Sequence, residues 1–357
     1  MTTAAELDAI LLWLAGVPSP IGEEHELCNQ VAARLERLAL PAPIRRTGES
    51  IVVPLWRDRA GPHVALVGHL DTVRTENGPA RIEGDRIFGS GVADMKSGLA
   101  IMIALAEELG GTLASTANVT LVFYAREEGP FEENELGPVL AGDPELSSVD
   151  LAVCLEPSDN RLHLGCCGSL HAELTFTGRT GHSARPWEAR NAVLAAASFL
   201  SELAAREPEE VLLEGLPYRT VTSVTRANDG GRGRNVIPDR FVLNLNHRFA
   251  PCYSIDQAKA QVEALVNGRG ELRFTDLSPA APPRREHPLV DALIVAGVRD
   301  VAPKQAWTDV ARFALHGIPA VNFGPGENAQ AHQRNESTSL ALLHEGYDLF
   351  RRWLGSL

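Results

Sequence analysis

The stretch Val64-Ala65-Leu66-Val67-Gly68-His69-Leu70-Asp71-Thr72 is an apolar run that stops abruptly on a His and an Asp two positions apart. Buried strands of open α/β sheets end in this way, and ligands collect in the crevice outside their carboxyl ends. One His and one Asp do not make a metal site, so further ligands must come from other strand ends. Asp94 lies in Gly89-Ser90-Gly91-Val92-Ala93-Asp94-Met95-Lys96-Ser97-Gly98, where glycines permit turns and close approach before a helix-like stretch at 99–109. Glu127 and Glu128 close the apolar run 119–124, and Glu156 directly follows Leu151-Ala152-Val153-Cys154-Leu155. His332 stands just past Ala320-Val321-Asn322-Phe323-Gly324-Pro325-Gly326. His69 and His332 with three carboxylates, from Asp94, the Glu127-Glu128 pair and Glu156, have the composition of a pair of divalent metals sharing a bridging carboxylate. Imidazole with carboxylate suits zinc, with cobalt or manganese as substitutes.

The apolar spacing predicts helices over 4–15 and 23–38, after which strand-like and helical runs alternate through Glu156. That alternation implies an α/β domain, a sheet with helices on its faces. After Gly165 the pattern becomes strand 170–177, helix 190–205, strand 219–226, strand 239–248, helix 254–267 and strand 271–276. The order β-α-β-β-α-β is that of a ferredoxin-like α+β unit. Ser278-Pro279-Ala280-Ala281-Pro282-Pro283 reads as the linker that returns the chain to the first domain. The expected division is therefore 1–166 with 279–357 as one domain and 167–278 as an insertion. At 357 residues and 44% hydrophobic content the chain is long enough for two cores.

Charge narrows the partners. The 33 Lys and Arg against 46 Asp and Glu give a net charge of −13, which disfavours nucleic acid and anionic membrane surfaces and leaves small molecules. No apolar run approaches the roughly 18 residues needed to span a bilayer, and the first residues lack the basic and apolar regions of a secretory signal, so the expected location is the cytoplasm. The five Cys form no CxxC pair, as expected of reduced, structural thiols.

Adjacent Glu127 and Glu128 point different ways at a strand end, so one can bind metal while the other works on water. A metal acidifies water, and a nearby carboxylate can take the proton and later hand it to a leaving amine. Asp71 is expected to orient His69 or accept from its ring N–H. His182, in Thr177-Gly178-Arg179-Thr180-Gly181-His182-Ser183, either caps the helix near Asn191 or donates to the oxyanion that forms when water attacks an amide. A metal-free scaffold is disfavoured, because crowded carboxylates repel unless something cationic sits between them.

Taken together, the sequence resembles the M20 family of zinc-dependent aminoacylases and exopeptidases. The matching segments are Gly-His-Leu-Asp-Thr (68–72), Gly-Val-Ala-Asp-Met-Lys (91–96), Glu-Glu (127–128), Glu-Pro (156–157), Gly-His-Ser (181–183) and Arg-Asn-Val-Ile-Pro (234–238). Within it the likeness is greatest to the desuccinylases of N-succinyl-LL-2,6-diaminopimelate, through Cys154-Leu155-Glu156-Pro157, Trp307-Thr308-Asp309-Val310-Ala311-Arg312-Phe313 and Asn322-Phe323-Gly324-Pro325-Gly326. The resemblance implies a zinc-exopeptidase-like catalytic domain with two zinc ions bridged by Asp94. His69 and Glu156 would complete one site, and Glu128 and His332 the other. It further implies Glu127 as general base, Asp71 beside His69, and His182 reaching into the neighbouring subunit, so that the inserted domain is a lid and the homodimer interface. Asn235, Arg248, Thr308 and Arg312 fall where the family contacts its substrate, and two arginines suit a small acidic N-acyl amino acid. There is one departure: Cys166-Cys167 stand before Gly168-Ser169 where well-known desuccinylases carry an Arg pair, leaving Arg179 or Arg185 to compensate. Sibling activities implied by the same family are deacetylation, as of N-acetylornithine, and dipeptidase or carboxypeptidase action.

Overall fold

The computed structural model describes residues 2–109, 116–231 and 233–357. The chain divides into two units, one made of Met1–Gly165, Pro283–Pro303 and Thr308–Leu357, the other of Cys166–Pro282 and Lys304–Trp307. The expected boundaries at 166/167 and 278/279 thus lie one and four positions from those in the structure, and Lys304–Trp307 returns to the second unit.

The first unit is built on an eight-stranded mixed sheet. Four strands run parallel and side by side: Asn118–Tyr124, His63–His69, Leu151–Cys154 and Ala320–Asn322. Their residues are buried almost without alternation, as happens when both faces of a sheet are covered. The helix Lys96–Leu109 packs on the strand His63–His69 and is in turn contacted by Ala4–Gly16 and Leu340–Ser356. From Leu99 to Ala106 every residue of that helix is fully buried. An all-round apolar helix of this kind is stable only as a central layer. Ala4–Gly16 begins on a capping box in which Thr3 and Glu6 satisfy each other's backbone N–H groups. The helix expected over 23–38 is shorter, His25–Leu35.

The second unit is a five-stranded antiparallel sheet packed against the helices Ala192–Ala195, Ala197–Ala204 and Ile255–Val266. Leu170, Ala172, Leu174 and Phe176 alternate into the core and meet Phe199, Ala258, Val262 and Leu265. Two features depart from the expected pattern. The helix expected over 190–205 is broken into Ala192–Ala195 and Ala197–Ala204. An additional edge strand, Glu209–Leu213, pairs with Leu216–Asn228. Glu214 and Gly215 join these strands with φ of 51° and 79°, as a tight two-residue hairpin turn requires.

Candidate metal centre

Parallel packing brings three ligand-bearing strand ends together. His69 closes its own strand in register with Tyr124, while Val67 pairs with Cys154, so Glu127-Glu128 and Glu156 flank His69 on either side. Asp94 arrives on the turn before helix Lys96–Leu109, and His332 on the loop that follows Ala320–Asn322. Close backbone approach makes this possible: a Cβ on Gly326 would lie 2.0 Å from the Ala93 carbonyl oxygen, and Gly91 has a φ of +76°.

The two oxygens of Asp94 face opposite ways. Oδ1 lies 3.3 Å from His69 Nε2, and Oδ2 lies 3.5 Å from His332 Nε2. His332 Nε2 is also 2.9 Å from Glu128 Oε2. His69, Asp94 and Glu156 form one group whose ligand atoms all lie within 4.8 Å of one another, and Asp94, Glu128 and His332 form a second. The two groups share Asp94. The donor set fits two divalent ions, since each group joins one imidazole to two carboxylates and Asp94 offers one oxygen to each.

Asp71 plays a part that differs in detail from the expected one. The ring nitrogen Nδ1 of His69 lies 3.0 Å from the Asp71 backbone carbonyl oxygen and 3.6 Å from its carboxylate. The ring therefore donates to the main chain, which fixes Nε2 toward Asp94. The carboxylate of Asp71 instead accepts the backbone N–H groups of Glu127 at 3.0 Å and Glu128 at 2.9 Å. One buried side chain thus orients both acids.

Electrostatics record the crowding. Burial pushes the Glu127 carboxyl well above the usual range, and repulsion from Glu156 and Glu128 adds to this. Burial also raises Glu128, against the pull of His332. Burial disfavours charge on His69, but Asp71 and Asp94 outweigh it and hold the imidazolium well above its ordinary value. Glu128 holds His332 up at about 9. Acids that resist ionising beside His residues that resist losing protons are what a site built around cations looks like before they bind.

A residue that sequence reasoning did not single out also lies here. Glu336 is buried, and its carboxylate accepts backbone N–H groups of Gly91, Ala93 and Asp94. Burial raises its pKa to about 7 despite those donors. In the sequence it is only an acid in a polar stretch, with no periodicity to mark it.

The remaining expected residues are distributed as follows. Thr308 is buried in the first unit. Arg312 is buried too, donating to Asp309 Oδ1 at 2.9 Å and to the Phe131 carbonyl oxygen at 2.9 Å, with its guanidinium over the Phe131 ring. Asp309 also accepts from Tyr124 and Asn134, both at 2.8 Å. His182, Asn235 and Arg248 belong to the second unit. His182 is exposed and its Nδ1 accepts the Ala184 N–H at 3.1 Å, leaving Nε2 to carry the ring proton. The Asn235 carbonyl oxygen accepts from the Ser183 N–H, which places Asn235 beside that loop. Arg248 is half-buried and donates to Asn246 Oδ1 at 3.0 Å. Cys166 and Cys167 are buried, and burial pushes the Cys167 thiol up to about 12. Arg179 and Arg185 both engage Glu188, the first through its backbone carbonyl oxygen and the second through its carboxylate.

Residues 65–356 match the profile of peptidase family M20/M25/M40. The chain belongs to this family. A Mycobacterium tuberculosis H37Rv protein, whose name provisionally assigns it as a succinyl-diaminopimelate desuccinylase, is 38% identical over 353 residues, covering 98% of this chain and 97% of that protein. The Corynebacterium glutamicum succinyl-diaminopimelate desuccinylase is 33% identical over 348 residues, covering 96% and 94%. Among solved structures, the Bacillus subtilis YXEP protein, described as a dinuclear metal binding peptidase of the M20 family, shares the fold with a TM-score of 0.70 at 15% identity, covering 99% of this chain and 97% of that one. The M20 chain described here is accordingly a hydrolase of amide bonds. Among the described residues no helix is long and apolar enough to cross a membrane.

Proposed function

We propose that this M20 chain is a two-zinc hydrolase that removes the succinyl group from N-succinyl-LL-2,6-diaminopimelate. The observation that carries the reading is Asp94, with Oδ1 toward His69 and Oδ2 toward His332. His69, Asp94 and Glu156 would hold one ion, and Asp94, Glu128 and His332 the other. Bound there, the pair supplies Lewis acidity toward the scissile carbonyl and toward water.

The side chains do the rest. Glu127 takes a proton from the attacking water and returns it to the leaving amine. Its raised pKa, caused by burial and by Glu156 and Glu128, suits a carboxylate that must hold a proton between those two steps. Asp71 keeps Glu127 and Glu128 in place through their N–H groups. His182, with its proton on Nε2, is a donor for the developing oxyanion, offered to the site of a second copy. The second unit serves as lid and dimer interface. Asn235, Arg248 and Thr308 contact substrate, with the Arg248 guanidinium pairing a substrate carboxylate. Arg312, engaged by Asp309 and Phe131, contributes by holding the segment after Thr308. The five cysteines, which form no disulfide, support a reducing compartment, the cytoplasm.

One observation favours a sibling reading, in which the acyl group lacks a second carboxylate or the substrate is a peptide. Cys166 and Cys167 supply no cation, and Arg179 and Arg185 are engaged with Glu188. The proton path is tested by Glu127→Gln. This variant should bind zinc with parental stoichiometry while turning over at least roughly a hundredfold more slowly. Near-parental turnover would remove Glu127 from that path.

A further inference from the structure

We infer that Glu336 is a positioning residue for the metal centre, fixing the turn that carries Asp94 and tying it to the segment that carries His332. The inference rests on the two-metal reading above. Glu336 is 2% exposed. Its Oε2 accepts the Gly91 N–H at 2.8 Å, and its Oε1 accepts those of Ala93 at 2.8 Å and Asp94 at 3.0 Å. Its backbone carbonyl oxygen takes the Gly89 N–H at 3.1 Å, and its own N–H donates to Asn77 Oδ1 at 2.8 Å. One residue therefore satisfies four donors of the turn 89–94, including the N–H of the bridging ligand itself.

Connectivity is what makes this bear on the metals. Glu336 follows His332 by four positions and immediately precedes the strand Ser337–Ser339. That strand pairs with Arg86–Phe88, which leads directly into the turn. Glu336 thus joins the turn that carries Asp94 to the segment that carries His332 through backbone groups, beside the 3.5 Å approach of Asp94 Oδ2 to His332 Nε2. Lys96, buried with Nζ on the Val17 carbonyl oxygen at 2.9 Å, is near enough for its charge to act on Glu336. Both oxygens of the Glu336 carboxyl are taken up by N–H donors of the turn, and groups that hold the ligands from behind govern how tightly a metal is held.

The test is Glu336→Gln, which keeps the shape but turns one oxygen into an NH₂ facing N–H donors. Chelator-treated protein is titrated with zinc in competition with a chromophoric chelator, alongside a melting curve. The variant should fold, and its zinc affinity should fall by roughly 10- to 100-fold. Glu336→Asp, which keeps the charge one methylene shorter, should recover part of that loss. Zinc affinity within twofold of the parent, with only the melting temperature lowered, would overturn the inference and leave Glu336 a purely structural residue. Should Glu336→Gln fail to fold, Asn77→Ala carries the test, because it loosens Glu336 by removing the acceptor of its N–H. A several-fold affinity loss there supports the role, and an unchanged affinity overturns it. The parent is the control: a parent that binds no zinc refutes the two-metal reading itself, whereas a parent and variant that bind two ions equally well refute only the role of Glu336.

Discussion

His332 Nε2 lies 2.9 Å from Glu128 Oε2, although 204 positions of chain separate the two. The whole second unit is inserted between them, so the second ligand group exists only once the last parallel strand has joined the sheet. Its members come from three places: the strand end at Glu128, the turn at Asp94 and the loop at His332.

Replacing His332 by Ala should therefore remove one site and spare the other. The His332 side chain is 54% exposed, so the fold should tolerate its loss. Zinc titration of the variant should show one tight equivalent, held by His69, Asp94 and Glu156, against two in the parent. Turnover should drop by at least roughly a hundredfold, since the carbonyl and water would no longer share two Lewis acids. Two undiminished equivalents would place the second ion elsewhere.

Asp71 is fully buried and its two oxygens each accept one N–H, from Glu127 and from Glu128. Asp71→Asn can satisfy only one of these donors. The unpaired N–H should cost about 1–3 kcal/mol of stability, read from urea unfolding of the metal-free protein. Turnover should fall as well, because Glu127 is no longer fixed. A variant with parental stability would show that this double acceptor is dispensable.

The first unit should also lose stability in mild acid through His63. Its ring nitrogens lie 2.9 Å from Ser148 Oγ and 2.8 Å from Thr120 Oγ1. Burial lowers its pKa, although Asp150 and Glu145 oppose this. Between the lowered folded value and the ordinary value of about 6.5, the unfolded chain binds more protons than the folded one. The stability associated with neutral His63 is thus present above about 6.5 and is lost as pH falls toward the folded value. Urea midpoints measured from about pH 7 to about 5 should fall less steeply for His63→Gln than for the parent. Parallel slopes would exclude His63 as a source of acid sensitivity.

How much of this could be read in the sequence depends on how local each signal is. His69 and Glu156 are legible because each ends a strand buried on both faces, which leaves an apolar run that stops on a polar residue. His332 is legible only by its place after a glycine-rich strand exit, since its φ of 60° and its loop carry no periodicity. Glu336 and the carboxylate of Asp71 act on backbone N–H groups far away in the chain, and such partners leave no pattern around the residue itself. The edge strand Glu209–Leu213 begins on two exposed acids, so its alternation is weak. Its one strong signal is the Glu214-Gly215 turn, whose meaning depends on recognising both flanks as strands. The break after Ala195 falls within an alanine-rich stretch whose helical spacing continues unbroken in the sequence.

The most direct test of the account is the release of free amine from N-succinyl-diaminopimelate, N-acetyl amino acids and dipeptides, with added zinc and with a chelator as control. Turnover should be zinc-supported, chelator-sensitive and greatest on N-succinyl-diaminopimelate. Chelator-sensitive turnover of another member alone would keep the two-metal mechanism and reassign the acyl group, with Cys166 and Cys167 as the first positions to examine. Turnover that survives complete removal of metal, or no release from any member by zinc-loaded protein, would contradict it.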